Sequence, residues 1–327
     1  MQTIRQNTSP RELDLSIVLL DWGVRESFHS LEYLSCQTVP RGRYEIIWIE
    51  NYQRRPAEID RLIARYEHLG LASPVDTWII LGQEPGQVYH KHRLYNLGIL
   101  FAKGRIVNIC DSDAIFTARY VESILTTFAA EHDVVLHIEE IRNFNRRLHP
   151  FNYPRIDQVL GAGVVNMAGS TPRAFHNTPE GIADDVNVVY ERNYGASFSA
   201  LRSRLVAIGG ADEHEDYRGH ICGPYEMTMR LINAGVRERW HRTELMYHVY
   251  HPGQGGDVDH CGPNDGRGMS TTALEIPRSR RILPLVENED IRRLRLRQEQ
   301  EAARAAKATW PPALHAPVLD AGGADHV

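Results

Sequence analysis

Apolar and polar positions along the first 133 residues follow two alternating periods. Runs rich in Leu, Ile and Val occur at 13–22 (LDLSIVLLDW), 44–52 (YEIIWIENY), 76–82 (DTWIILG) and 105–111 (RIVNICD). They are nearly continuous, as strands covered on both faces are. Helical spacing lies between them. Residues 25–37 put Phe28, Leu31 and Leu34 on one face. Residues 56–70 open with Pro56 and close with Gly70, a helix start and stop. Residues 88–104 read as a helix ending at Gly104, and 118–131 as a fourth. Strand and helix alternating at this spacing predict crossover units and a mostly parallel sheet.

The second half is less regular. Residues 134–144 form a strand pattern, followed to about 193 by a long stretch containing Pro and Asn. Residues 194–213 suggest a short strand, a helix and a glycine stop. Residues 223–235 read as a helix capped by Gly235. Residues 237–253 are strand-like and end in two histidines. From 288 the chain carries acids first and arginines after, as a helix dipole prefers. The last residues, GGADHV, are expected to be disordered. The expected organisation is a flexible amino terminus (1–12), one α/β domain (13–283, with halves 13–133 and 134–283), and a helical extension with tail (284–327).

In open parallel sheets, ligands bind beyond the carboxyl ends of the strands. That rule places Asp21, Glu50, Asp111 and Asp113 on one rim, each at or just past the end of an apolar strand. The stretch DSD (111–113) has two readings. Asp and Ser form turns through bonds to nearby backbone, and two carboxylates two residues apart can also share one hard cation.

Composition narrows the partners. The net charge of −5 lacks the basic balance of a nucleic-acid binder. No run is apolar enough to span a bilayer, and the first residues lack a signal-peptide core. A cytoplasmic protein is therefore expected, with peripheral membrane contact left open. The four cysteines form no Cys-x-x-Cys pair, which disfavours a zinc ribbon or dithiol motif.

The order of several segments resembles the family 2 glycosyltransferases. These are SIVLL with its following helix, EIIWIEN, YNLGILFAKGRIVNICDSDA, GASFSALRSRLVAIGGADE and GPYEMTMRLINAG with a histidine downstream. The resemblance covers roughly residues 13–252. It implies a GT-A fold: a Rossmann-like, mostly parallel central sheet flanked by helices, with an acceptor-side subregion. It also implies a nucleotide-sugar donor (UDP-, GDP- or dTDP-linked), a Mn²⁺ or Mg²⁺ ion and inversion at the anomeric carbon. Asp113 then binds the metal, and Asp111 holds the ribose or the metal shell. Glu50 and Asp21 lie near the base, and Asn96 belongs to the family's Asn-x-Gly element. One of His248 and His251 adds a metal ligand, His248 being favoured by its spacing to Pro-Gly. Histidines three apart on an extended segment point in different directions, so both reaching one ion requires a turn.

The departures matter as much. Tyr95 stands where the family often has Arg before the Asn; the nearby cluster HKHR, with Arg93, is either a cation for the phosphates or a solvated helix face. The family's Glu-Asp pair falls on Gly223 and Pro224, leaving Glu226 as the candidate general base. Glu226 also fits a first-turn acid stabilised by the helix dipole. Asp212, Glu213, Glu215 and Asp216 are the other candidates. Acceptor recognition is expected from 142–193 and 253–272, the latter Gly-rich and lid-like. Trp240 and Tyr250 are either sugar-stacking aromatics or ordinary strand residues. The carboxy-terminal helix is the expected contact for a second copy. Two alternatives stand beside the transferase. A sugar nucleotidyltransferase would carry a Gly-rich basic loop after the first strand, where LLDWGVRES has one glycine. A non-catalytic binding protein would keep the fold and lose the base.

Overall fold

The structure is a computed structural model. It describes residues 1–8, 10, 12–25, 27–143, 146, 164–168, 171–173, 177–178, 181–182, 192–219, 223–251 and 261–309. In chain order the strands are β1 (Gln2–Arg5), β2 (Leu13–Asp21), β3 (Tyr44–Tyr52), β4 (Thr77–Gln83), β5 (Gly104–Cys110), β6 (Ala114–Ile115), β7 (Val134–Asn143), β8 (Val164–Ala168), β9 (Thr171–Arg173), β10 (Asn177–Thr178), β11 (Gly181–Ile182), β12 (Ser197–Leu201) and β13 (Arg237–Val249). The α-helices are α1 (His29–Ser35), α2 (Ala57–His68), α3 (Lys91–Phe101), α4 (Tyr120–Ala130), α5 (Arg202–Ala207), α6 (Tyr225–Asn233), α7 (Thr271–Ser279) and α8 (Glu289–Thr309).

One mixed sheet runs β1-β4-β3-β2-β5-β12-β7-β13-β6. The central run β4-β3-β2-β5 is parallel, as is β7 with β13; β12 is inserted antiparallel between β5 and β7. Residues 2–5, expected in a flexible amino terminus, instead form β1, which pairs antiparallel with β4.

Strand alternation divides β2 between two cores. Leu15, Ile17 and Leu19 face one side, where α1, α2 and α4 supply Leu31, Leu34, Ile59 and Phe128. Val18 and Leu20 face the other, with Leu94 and Ile99 of α3, Leu205 of α5, Leu231 of α6 and Ile291 of α8. Burying each such side chain contributes about 1.5–3 kcal/mol. The Asn-x-Gly and Ala-x-Gly elements find a packing reason here. A Cβ on Gly98 would lie 2.5 Å from Val18, and one on Gly104 would lie 2.4 Å from the Leu15 backbone. Only hydrogen lets α3 and the start of β5 sit that close to β2.

The helical extension begins against this second core, since Ile291 is buried there. No helix among the described residues is long and apolar enough to cross a membrane. Most of the expected acceptor region 142–193, residues 253–260 of the lid-like segment and the GGADHV tail lie outside the described residues. The described part of that segment is followed by α7, a helix its Gly-rich start did not predict.

Candidate metal and nucleotide site

The turn after β5 is built at the carboxyl rim and held on both sides. The Asp111 amide donates to Ala196 O at 3.0 Å, next to where β12 begins. β6 then pairs with β13 so that Ala114 faces His248. This register brings His248 beside Asp113. β13 ends at Val249, so His251 is released from strand alternation and turns back to the same point.

The result is a buried cluster. Asp113 Oδ2 lies 3.1 Å from His248 Nε2 and 2.9 Å from His251 Nε2. Among the described residues these three could together hold an ion, their ligand atoms lying within 4.8 Å of one another. Two ligands set at right angles around an ion at about 2.1 Å are about 3 Å apart, so the spacing fits a divalent metal. His29 fixes the turn from behind, its Nε2 donating to Asp113 O at 2.9 Å. Burial lowers the His29 pKa to about 4, so the ring is neutral.

A guanidinium completes the arrangement. Arg25 Nη1 donates to Asp113 Oδ2 at 2.5 Å, and its Nε donates to Ser112 Oγ at 2.7 Å. Its carbon lies 4.8 Å from the Trp22 ring, which stacks on Tyr89. Burial alone would raise the Asp113 pKa, but Arg25, His248 and His251 together hold it well below the usual carboxylate range.

Asp21 shapes the loop that delivers Arg25. Its Oδ1 accepts the amides of Gly23, Val24 and Arg25, and Gly23 takes a left-handed φ of +84°. Its Oδ2 meets Arg54 at 3.3 Å. Glu50 sits beside Asp21 in the β2–β3 register. Its Oε1 accepts from Trp48 Nε1 at 2.7 Å, while its buried Oε2 has no partner among the described residues. Burial and the Asp21 charge raise the Glu50 pKa to about 8. The next residue, Asn51, is also buried, and both ends of its amide lack a partner among the described residues. Orphaned polar atoms of this kind are costly and call for a ligand or water.

The remaining expected residues are placed differently. Asp111 is half-buried beside the turn, and the grouped ligand atoms are those of Asp113, His248 and His251, not its own. The side chain of Asn96 bonds Ala211 N, Ala211 O and Glu213 Oε1, pinning the loop after α5 rather than facing open space. Arg93 is exposed, 3.9 Å from Glu213, in a separate cleft of about 560 Å³ with His90, Glu215 and Arg218.

Glu226 is not at the rim cluster. It is fully buried; its Oε1 accepts the Asp212 amide at 3.1 Å, and its Oε2 accepts Arg230 Nε at 2.8 Å and Nη2 at 2.6 Å. A carboxylate held this way, buried away from the rim cluster and tied to an arginine, has a structural role in the fold beside the general-base role expected of it. Asp212 is filled in the same way, by the amides of His214, Leu285 and Val286 and by Arg281. Gly223 and Pro224 place no carboxyl at the pair's position. Gly223 is close-packed, since a Cβ there would lie 2.9 Å from Gly195 Cα. Trp240 stacks on buried His137 with ring centres 4.6 Å apart and packs edge-on against Tyr194, as a structural aromatic.

Sequence reasoning missed Arg25, His29 and Asn51. The available signal was position: Arg25 and His29 follow the end of β2, and Asn51 is the last residue but one of β3, on the rim that the parallel-sheet rule marks.

No family model matches the chain, and no curated protein sequence matches it. Solved structures do. Residues 1–349 of TarS from S. aureus, in complex with UDP-GlcNAc, superpose with a TM-score of 0.54 at 11% identity, covering 85% of this chain and 69% of that one. GalNAc-T7 with UDP, GalNAc and Mn²⁺ superposes with a TM-score of 0.50 at 11% identity, covering 81% of this chain and 48% of that one. The chain has the GT-A glycosyltransferase fold. In a further TarS 1–349 structure, with a TM-score of 0.48 at 14% identity, the match covers 72% of this chain and 60% of that one, so this chain corresponds to less than two thirds of its length.

Proposed function

We propose that this protein transfers a sugar from a nucleotide-sugar donor to an acceptor, with a divalent cation held by Asp113, His248 and His251. The observation that carries the reading is that cluster, buried at the carboxyl rim of a GT-A sheet. Two imidazoles with one carboxylate favour a first-row transition ion over Mg²⁺, narrowing the sequence expectation. An ion bound there supplies charge neutralisation to a departing diphosphate. The protein's own groups do the rest. His29 and Ser112 fix the turn that carries Asp113, and the orphaned edges of Glu50 and Asn51 offer hydrogen bonds to a nucleobase. Membership of family 2, and with it inversion, rests on the sequence motifs.

One observation favours a second reading, a donor-binding protein without turnover. Glu226 is locked on Arg230, and Gly223-Pro224 stand where the family has its acidic pair. Calorimetric titration of UDP, GDP and dTDP, with and without Mn²⁺, tests the shared part of both readings. Binding of one nucleotide that requires Mn²⁺ and is lost in Asp113→Ala supports them; binding that ignores Mn²⁺ contradicts them. Release of sugar or its transfer from the matching donor then separates transferase from binder.

A further inference from the structure

We infer that Arg25 is a charge lock that makes the metal and the diphosphate bind as a unit. The inference rests on the metal reading of the Asp113 cluster and goes beyond it. Metal ligation needs the lone pairs of Asp113 Oδ2, and Arg25 Nη1 already donates to that same oxygen at 2.5 Å. Both groups are buried, with side chains 6% and 8% exposed, so water screens them little.

Arg25 is also fixed in place. Ser112 Oγ accepts its Nε and in turn donates to Leu20 O at 2.6 Å. Trp22 covers its face, and Asp21 caps its loop. With Arg25 paired to Asp113, the pair is already neutral. A dication entering alone meets a fixed positive charge within a few ångströms, on the very carboxylate that would ligate it. A diphosphate arriving with it brings the missing anions. Arg25 therefore weakens binding of the ion alone and leaves binding of the ion with nucleotide favourable. By linkage the ion then strengthens nucleotide binding by the same factor.

The test is Mn²⁺ affinity measured without nucleotide, by electron paramagnetic resonance of the free ion, on wild type, Arg25→Met and Arg25→Lys. Arg25→Met keeps the length and apolar stem and removes the charge. It is expected to bind Mn²⁺ alone about tenfold more tightly than wild type, in the usual range of a coupling between sites. Arg25→Lys keeps the charge and is expected to stay near wild type. Equal or weaker Mn²⁺ binding by a folded Arg25→Met, with wild-type binding still lost in His248→Ala, overturns the lock and leaves the metal site standing. Mn²⁺ binding to neither protein, with or without UDP, GDP or dTDP, overturns the metal reading and the lock together. Wild type gives an independent check. Its Mn²⁺ affinity should rise about tenfold or more with the nucleoside diphosphate that binds, and an affinity indifferent to it counts against the lock.

Discussion

Two buried carboxylates in this protein each face an arginine, and their surroundings give them opposite roles. Glu226 meets Arg230 in the core between α5, α6 and the loop after α5. The hydrogen bonds of the pair otherwise go to backbone among the described residues: Arg230 also donates to Ile208 O and Gly210 O, and Glu226 accepts the Asp212 amide. The one imidazole beside it, His92, lies 3.8 Å from Glu226 Oε1 and spends that nitrogen on Asp212 O at 2.7 Å. Such a pair directs its hydrogen bonds to the fold. Asp113 meets Arg25 at the rim, and its other neighbours are two imidazole nitrogens. Imidazoles can exchange a proton for a metal, which a backbone amide cannot. Burial and an arginine partner therefore do not distinguish a site from a scaffold; the chemistry of the remaining neighbours does.

The comparison is broken most severely at its structural end. Glu226→Gln leaves Arg230 charged and unpaired in the core, and losing one partner of a buried pair costs about 3–5 kcal/mol. Chemical denaturation should show a loss of that size. Normal stability with abolished sugar transfer would return Glu226 to the role of general base. At the rim, Asp113→Asn likewise leaves a buried arginine without its counter-ion, so a stability loss of the same order, about 3–5 kcal/mol, is expected there. Its Mn²⁺ affinity should fall at least about 100-fold, because a metal ligand has lost its charge. Intact Mn²⁺ binding in Asp113→Asn, or an equal loss of it in Glu226→Gln, would erase the distinction.

Glu50 sharpens the comparison, because it is a buried carboxyl with no ion pair to an arginine among the described residues, Arg54 and Arg25 acting on it only at longer range. Its pKa is raised to about 8 by burial and by Asp21. Between the ordinary carboxylate range and about 8, the folded protein therefore holds a proton that the unfolded chain has released. Stability then falls as pH rises through that window. Glu50→Gln should flatten this slope and stabilise the protein at pH 8 by at least about 1 kcal/mol. A pH profile identical to wild type would mean the carboxyl ionises freely. The smallest effect belongs to Arg93, an exposed residue of the separate cleft. Arg93→Ala should change stability by less than about 0.5 kcal/mol and leave Mn²⁺ affinity unaltered. A large loss of nucleotide binding there would restore the phosphate role that the sequence suggested.

The sheet was readable from the sequence because its strands are covered on both faces. β3 has the expected bounds, and the runs for β2, β4, β5 and β7 each agree to within a residue. β1 was not readable: four residues with polar ends, QTIR, carry no alternation long enough to detect. The metal cluster was half legible. Asp-x-Asp and the two histidines announced themselves, but the turn that lets both histidines converge comes from where β13 stops. Arg25 was invisible because its partner, Asp113, is 88 residues away in the chain. The setting of Glu226 was hidden for a related reason. Its place in the first turn of α6 is plain in the sequence, whereas the face it presents to Arg230 and Asp212 is set by tertiary packing.

The most direct test of the central claim is X-ray absorption at the manganese edge. It would be recorded on the protein loaded with Mn²⁺ and the nucleoside diphosphate it binds. Asp113, His248 and His251 predict a first shell containing two imidazole nitrogens, with the imidazole scattering reduced in His248→Ala and in His251→Ala. A shell made only of oxygen, unchanged in both variants, would show that the ion sits elsewhere and contradict the assignment.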